Sequence, residues 1–380
     1  MRVLILHSRY LSGWASGENS VVRDEERLLT EAGHQVVAWT PAPGPELSHV
    51  RLGSRTVWSS AALRRVRALI EQHRPDIVHC HNLYPMLSPA VLRAARNGGS
   101  RIVVTLHNYR MSCLPATFTR DGEICELCLG RLPWRGVKYR CYRGSLAGSA
   151  ALAGSLSLHR AIGSFDHVSL FLPVSVFVRD KHVQAGLAPD RMFVKPNFCW
   201  PRPPRQGPGG YFLYAGRLAP EKDVQILLEA WRSVPGRLII AGDGPERAAL
   251  EAVAPAGVEF IGTVTPDKVD ELLQRARALV IPTRCNEGGP RSVIEAYAAG
   301  VPVIATALGA LPEMIEHDVT GMLVPGGSAQ AWIEAAGALS EDQNSARLGE
   351  GALGRWARLH GPERGLLELE RAYRAALRVP

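Results

Sequence analysis

The chain has 380 residues, 46% hydrophobic and 21% charged, which supplies enough apolar mass for about two domains of ordinary size. Its 37 glycines and 27 prolines show no short period, which excludes fibrous and disordered chains, and its most apolar stretch, residues 152–178, is broken by His159, Arg160, Asp166 and His167, so no transmembrane helix is expected. The 44 Lys and Arg outweigh 36 Asp and Glu to give +8, with only five lysines and hence 39 arginines.

That excess is met either by a partner carrying phosphate or by a coding bias toward Arg. The arginines are scattered, with one cluster at Arg64, Arg65 and Arg67 and no aromatic–basic stripe, so no nucleic-acid partner is expected. A peripheral contact with an anionic membrane face is the remaining surface reading of the charge.

Residues 3–6 open the chain as a short buried strand with no small-residue cleavage site, so no secretory signal is expected and the location is read as cytoplasmic. A loop, Ser12-Gly13-Trp14-Ala15-Ser16-Gly17-Glu18-Asn19, then leads into helical spacing over 21–32, with Gly33 where a helix should stop. Strands at 36–40, 77–79 and 102–106 and a helix over 61–73 continue the alternation of parallel α/β architecture. His107 follows the strand 102–106; His79 and His81, in Asp76-Ile77-Val78-His79-Cys80-His81, read as supporting groups.

Cys113, Cys125, Cys128 and Cys141 then form C-x11-C-x2-C-x12-C in a segment of about 110–145 rich in Gly, Arg and Trp. Two thiolates two residues apart suit one tetrahedral ion, so a structural zinc is expected; four buried thiols in an irregular loop are the alternative. A disulfide framework is disfavoured in a cytosolic protein.

Pro196 and the Pro- and Gly-rich run 201–210 admit neither helix nor central strand and read as a linker. A second α/β series follows, with strands at 212–215, 238–241, 258–261, 278–281 and 303–305. Helices at 224–233, 247–252, 267–275 and 291–299 separate them. The domains expected are 1–198, a linker 199–210, 211–362, and a basic amphipathic helix over 363–380 that returns to the first domain.

Two loops of this half carry chemistry. Gly216-Arg217-Leu218-Ala219-Pro220-Glu221-Lys222 places two cations on a strand-to-helix loop, Arg as a planar fork and Lys as a point charge, a pattern that clamps a diphosphate. Asn286-Glu287-Gly288-Gly289-Pro290-Arg291-Ser292-Val293-Ile294-Glu295 spans a strand end, a turn and a helix start, with Pro290 expected at the first helical position. Its helix tip offers N–H groups to an anion, and its carboxylates can accept from sugar hydroxyls. Gly242-Asp243-Gly244-Pro245 adds a tight turn. No G-x-G-x-x-G follows the first strand, which excludes a dinucleotide-dependent dehydrogenase.

In this order and spacing the Gly-Arg-Leu…Glu-Lys stretch, Gly242-Asp243-Gly244-Pro245, the pair Glu287 and Glu295, and Ala298-Ala299-Gly300-Val301-Pro302-Val303-Ile304-Ala305 resemble glycosyltransferase family 4. Glu313 and Thr320-Gly321-Met322-Leu323-Val324 extend the likeness over nearly the whole chain. The resemblance implies the GT-B fold, two Rossmann-like doubly wound domains facing a central cleft, and a retaining glycosyltransferase.

It implies that Arg217 and Lys222 hold the donor diphosphate and that Gly17, Gly244, Arg291 and Ser292 lie close to it. Glu295 would bind the ribose and Glu287 the transferred sugar, while His107 would hydrogen-bond a donor-sugar hydroxyl or orient the acceptor. The donor is expected to be a nucleotide diphosphate sugar, UDP ahead of GDP, with no metal needed, as no Asp-x-Asp motif occurs. The acceptor is open among glycan, lipid-linked sugar and natural product. A sugar-nucleotide epimerase or a non-catalytic donor-binding subunit on the same fold is the alternative.

Overall fold

The structure, a computed structural model, describes residues 1–9, 17–44 and 48–379, the His49 side chain excepted. Two compact units divide it. The first comprises Met1–Phe118, Cys125–Pro196 and Leu366–Pro380; the second comprises Thr119–Ile124 and Asn197–Gly365. No helix among the described residues is long and apolar enough to cross a membrane.

The strands, in chain order, are β1 (Arg2–Leu6), β2 (Gln35–Trp39), β3 (Ile77–Cys80), β4 (Arg101–Leu106), the short β5 (Thr119–Arg120) and β6 (Glu123–Ile124), and β7 (Leu170–Pro173). In the second unit they are β8 (Tyr211–Ala215), β9 (Arg237–Ala241), β10 (Val258–Gly262), β11 (Ala276–Ile281), β12 (Val303–Thr306) and β13 (Gly321–Val324). The first unit holds a parallel sheet in the order β2-β1-β3-β4-β7; the second holds one in the order β10-β9-β8-β11-β12-β13.

Strands such as Ile77-Val78-His79-Cys80 and Val303-Ile304-Ala305-Thr306 are buried along their whole length, because helices cover both faces of a parallel sheet. Residues read as strands and helices from periodicity are those elements in the structure, to within a few residues at the ends. β7 and β13 and the helices Ala90–Asn97, Leu146–Ala161, Val176–Gln184, Ala329–Ser340 and Asp342–Leu359 are further elements. Helix Gly17–Glu31 ends at Gly33, whose φ of +81° is the left-handed conformation a helix stop requires.

Two features of these sheets set the chemistry. In the first unit, β3 and β4 are neighbours with His79 opposite Val103, so His81 and His107 both leave the carboxyl edge of the sheet side by side. In the second, β9, β8 and β11 are neighbours, so the loops 216–222, 242–245 and 282–290 leave one carboxyl edge together. That edge is where open parallel sheets bind ligands.

The run 197–210 is irregular, as its prolines dictate, yet it is fastened to the second unit. Arg205 donates to Ser345 Oγ at 2.7 Å and to the Arg277 carbonyl at 3.2 Å. Gly209, at φ +83°, lies so close to β11 that a Cβ would stand 2.3 Å from the Arg277 nitrogen. From Leu366 the chain returns to the first unit, where Tyr373 donates to or accepts from buried His79 at 2.9 Å.

Candidate active site

In the second unit Lys222 and Glu287 meet. The β8 loop closes in a short 3-10 turn, Pro220–Lys222, and the Lys222 ammonium reaches Glu287 Oε1 at 2.5 Å. Their side chains are 27% and 12% exposed, which leaves the pair reachable from solvent. Burial works against the Lys222 charge, but the Glu287 carboxylate and its hydrogen bond outweigh it and hold the ammonium protonated well above the usual lysine range. Burial and the same carboxylate push the Cys285 thiol up to about 12.

On the same loop the Arg217 backbone carbonyl accepts from the Tyr214 hydroxyl at 2.7 Å. Burial raises the Tyr214 pKa, and the charges acting on the phenol are those of Lys222, Glu287, Arg217 and Glu221. The Arg217 guanidinium itself is 51% exposed and rests on Glu221, one turn on. Backbone packing brings these loops together: a Cβ on Gly242 would stand 1.8 Å from the Gly216 carbonyl, and one on Gly244 would stand 2.1 Å from the Leu218 carbonyl. Gly244 is thus required by the neighbouring loop.

Glu295 sits in a second group with Arg291. Helix Arg291–Ala298 has no side-chain cap, and Pro290, at φ −65° and ψ 127°, is the residue before the helix rather than its first member as the sequence suggested. Its extended ψ turns the chain into the helix one position later. The first-turn N–H groups of Arg291 and Ser292 are therefore at an uncapped, electropositive helix tip. Glu295 Oε1 accepts from Arg291 at 3.1 Å and from Arg202 at 3.0 Å, and Arg202 also donates to Asp270 at 2.6 Å. Burial opposes the Arg202 charge, and the Glu295 and Asp270 carboxylates more than restore it.

In the first unit His107, half-buried at the end of β4, lines a pocket with Glu18, His81, Asn82, Asn108 and Arg110. Gly17 begins helix Gly17–Glu31, and a Cβ there would meet nothing within 4 Å. The rest of the predicted loop, residues 12–16, lies outside the described residues.

Among the described residues, one trio of His, Cys, Asp and Glu has ligand atoms all within 4.8 Å of one another: Glu25, His79 and His81. It is built against a metal. Glu25 Oε1 is paired with the buried Lys195 ammonium, and both His79 nitrogens are engaged, by Tyr373 at 2.9 Å and Thr105 at 2.7 Å. A divalent ion here would sit beside a fixed cation.

The four cysteines do not form such a group. Burial pushes the Cys113 thiol up to about 11 and raises that of Cys128, so both are protonated while no ion is bound.

Sequence reasoning missed Arg202, Tyr214, Glu25 and Lys195. A signal existed for Glu25 alone: it interrupts the buried stripe Val21, Val22, Leu28 and Leu29 of its helix with a charge.

The family description Glycosyltransferase Family 4 matches residues 15–199, and Glycosyl transferases group 1 matches residues 209–342. A 2-deoxystreptamine N-acetyl-D-glucosaminyltransferase of Streptomyces fradiae is 28% identical over 326 residues, 78% of this chain and 71% of that one. A D-inositol 3-phosphate glycosyltransferase of Mycolicibacterium paratuberculosis is 33% identical over 137 residues, 33% of this chain and 31% of its own length. Among solved structures, Anabaena Alr3699/HepE in complex with UDP and glucose superposes with a TM-score of 0.67 at 18% identity, covering 98% of this chain and 99% of that one.

Proposed function

The chain belongs to glycosyltransferase family 4, with the GT-B fold, and from that premise we propose that it transfers a sugar from a UDP-sugar, with retention at the anomeric carbon, to a hydroxyl of a polyhydroxylated acceptor. The observation that carries the reading is the 2.5 Å contact of Lys222 with Glu287 on the loops that leave the carboxyl ends of β8 and β11, with Arg217 on the same loop as Lys222.

In this reading Lys222 and Arg217 meet the diphosphate as the bond from C1 to the phosphate oxygen breaks. Negative charge grows on that oxygen, and preorganised cations stabilise it more in the transition state than in the ground state. The tip of helix Arg291–Ala298 adds the N–H groups of Arg291 and Ser292, while Glu295, fixed through Oε1 by Arg202 and Arg291, offers its second oxygen to the ribose hydroxyls. Glu287 accepts from hydroxyls of the transferred sugar. The acceptor oxygen bonds to C1 on the face the phosphate leaves, and its proton passes to the departing phosphate oxygen. His107 accepts from or orients a hydroxyl beside C1. No step calls for a divalent metal.

UDP as the nucleotide is supported by the UDP complex of the Anabaena structure. An aminocyclitol is the first acceptor to test, because the Streptomyces fradiae relative is matched over 78% of this chain. Thermal unfolding against UDP-, GDP- and ADP-sugars tests the donor: at a hundredfold excess over Kd the true nucleotide adds about 2.7 kcal/mol. The anomeric configuration of the product, read by NMR, tests retention. No stabilisation and no hydrolysis with any UDP-sugar would defeat the donor assignment.

A membrane-borne acceptor is the second reading, favoured by one surface. Leu132, Trp134, Tyr139 and Leu146 are exposed among the exposed cations Arg131, Arg135, Lys138, Arg140 and Arg143. Aromatic and basic side chains together suit an anionic interface, at about 1 kcal/mol per cation. Co-sedimentation with phosphatidylglycerol vesicles, lost in Trp134→Ala/Arg135→Ala, would support it; equal binding to neutral vesicles would exclude it.

A further inference from the structure

The pocket histidine is backed by a chain of buried groups that the transfer chemistry leaves unused. Glu25 and Lys195, both almost fully buried, form an ion pair through Glu25 Oε1. The other oxygen, Oε2, is buried without a hydrogen-bond partner, as is His81 Nε2, and these two atoms face each other at 3.4 Å. His79 Nδ1 also lies near Oε2, at 3.6 Å, but it is committed to Tyr373. On its far side the His81 ring places Nδ1 2.9 Å from His107 Nε2, with the two rings stacked at 5.2 Å and 19°.

The charges fix where the protons sit. A carboxylate paired with a buried ammonium is an acceptor only, so the His81 nitrogen that faces it, Nε2, is the one that carries a proton. Burial first, then His79, His107, His7 and Lys195 around it, holds His81 neutral, its pKa well below 6.5. A neutral ring protonated at Nε2 carries a lone pair at Nδ1, and the hydrogen across the 2.9 Å contact must then come from His107 Nε2.

We propose that Glu25 and His81 are positioning residues which, through this chain, orient the His107 ring and hold a proton on its Nε2. The inference rests on His107 taking part in the transfer, as proposed above.

The test uses the full chain with 15N-labelled histidine. Long-range 1H–15N spectra at neutral pH should show His107 protonated at Nε2, with a slowly exchanging downfield proton that disappears in His81→Phe. The same variant should lower kcat about a hundredfold while UDP affinity stays within threefold, and His81→Gln, which keeps a donor and an acceptor, should recover part of the loss.

Glu25→Met/Lys195→Met removes the carboxylate without stranding its ammonium. It should reproduce the kcat loss at an unfolding midpoint that shows the protein folded. A His107 proton on Nδ1, or wild-type kcat in His81→Phe, overturns the proposal. Wild-type activity in His107→Ala also overturns it, whereas the donor reading is untouched by these variants and is judged by UDP-sugar binding and by the Lys222 and Glu287 variants.

Discussion

Replacing Lys222 by Met is the sharpest test of the donor site, because two separable magnitudes follow from one contact. The ammonium lies 2.5 Å from Glu287 Oε1, and the partners are 27% and 12% exposed. Losing one member of a fully buried pair costs about 3–5 kcal/mol; at this exposure water relieves part of the stranded Glu287 charge, and about 1–3 kcal/mol is expected. Denaturant unfolding midpoints measure that part. Turnover should fall further. Removing one preorganised group that meets developing charge costs about 2.7–4 kcal/mol, a hundredfold to a thousandfold in kcat.

Initial rates of UDP release at saturating donor measure that second part. Glu287→Gln serves as the companion variant, and the double variant should lose less than the sum, since the two groups share one contact. Because the Lys222 pKa is raised, its stabilising contribution is complete below the unfolded value of 10.5 and is lost only as pH rises above it. The Lys222 deficit should therefore be flat from pH 6 to 9. A kcat within threefold of wild type in Lys222→Met, with the fold intact, would refute the assignment.

Three further outcomes are expected. Glu295→Ala and Arg202→Ala should each weaken UDP binding about tenfold in calorimetric titration, since Arg202 holds Glu295 at 3.0 Å; an unchanged Kd in both counts against the ribose role. Gly242→Ala should lower stability by at least about 3 kcal/mol, because its Cβ would lie 1.8 Å from the Gly216 carbonyl at φ +155°, while Gly17→Ala, with open space, should be near neutral. Burial lowers His79 to about 3 and His182 and His360 to about 4. Below pH 6.5 the unfolded chain therefore takes up protons the folded chain refuses, and stability should fall by up to about 4 kcal/mol per pH unit near pH 5. Equal unfolding midpoints at pH 7 and pH 5 would contradict that burial.

What the sequence disclosed, and what it hid, divides along a physical line. Continuous apolar runs are legible because a parallel sheet buries both faces of each strand, so Val303-Ile304-Ala305 announces β12 without reference to anything distant. Lys222 and Glu287 are legible for a related reason: each lies within a few residues of a strand end, where loop chemistry and strand pattern are read together.

Arg202 and Lys195 obey no such rule. Their partners, Glu295 and Glu25, are 93 and 170 residues away, and nothing local separates a buried ion-paired Lys195 from an exposed lysine beside a proline. The cysteines are a different case. A C-x2-C spacing is local, but a tetrahedral site also needs Cys113 and Cys141 to converge on it, and no three of the four thiols lie within 4.8 Å of one another. Glu25 lies between these cases: a charge on an apolar helical stripe declares that a partner exists, because an unpaired buried carboxylate is too costly to keep, while only the tertiary structure names Lys195 and His81.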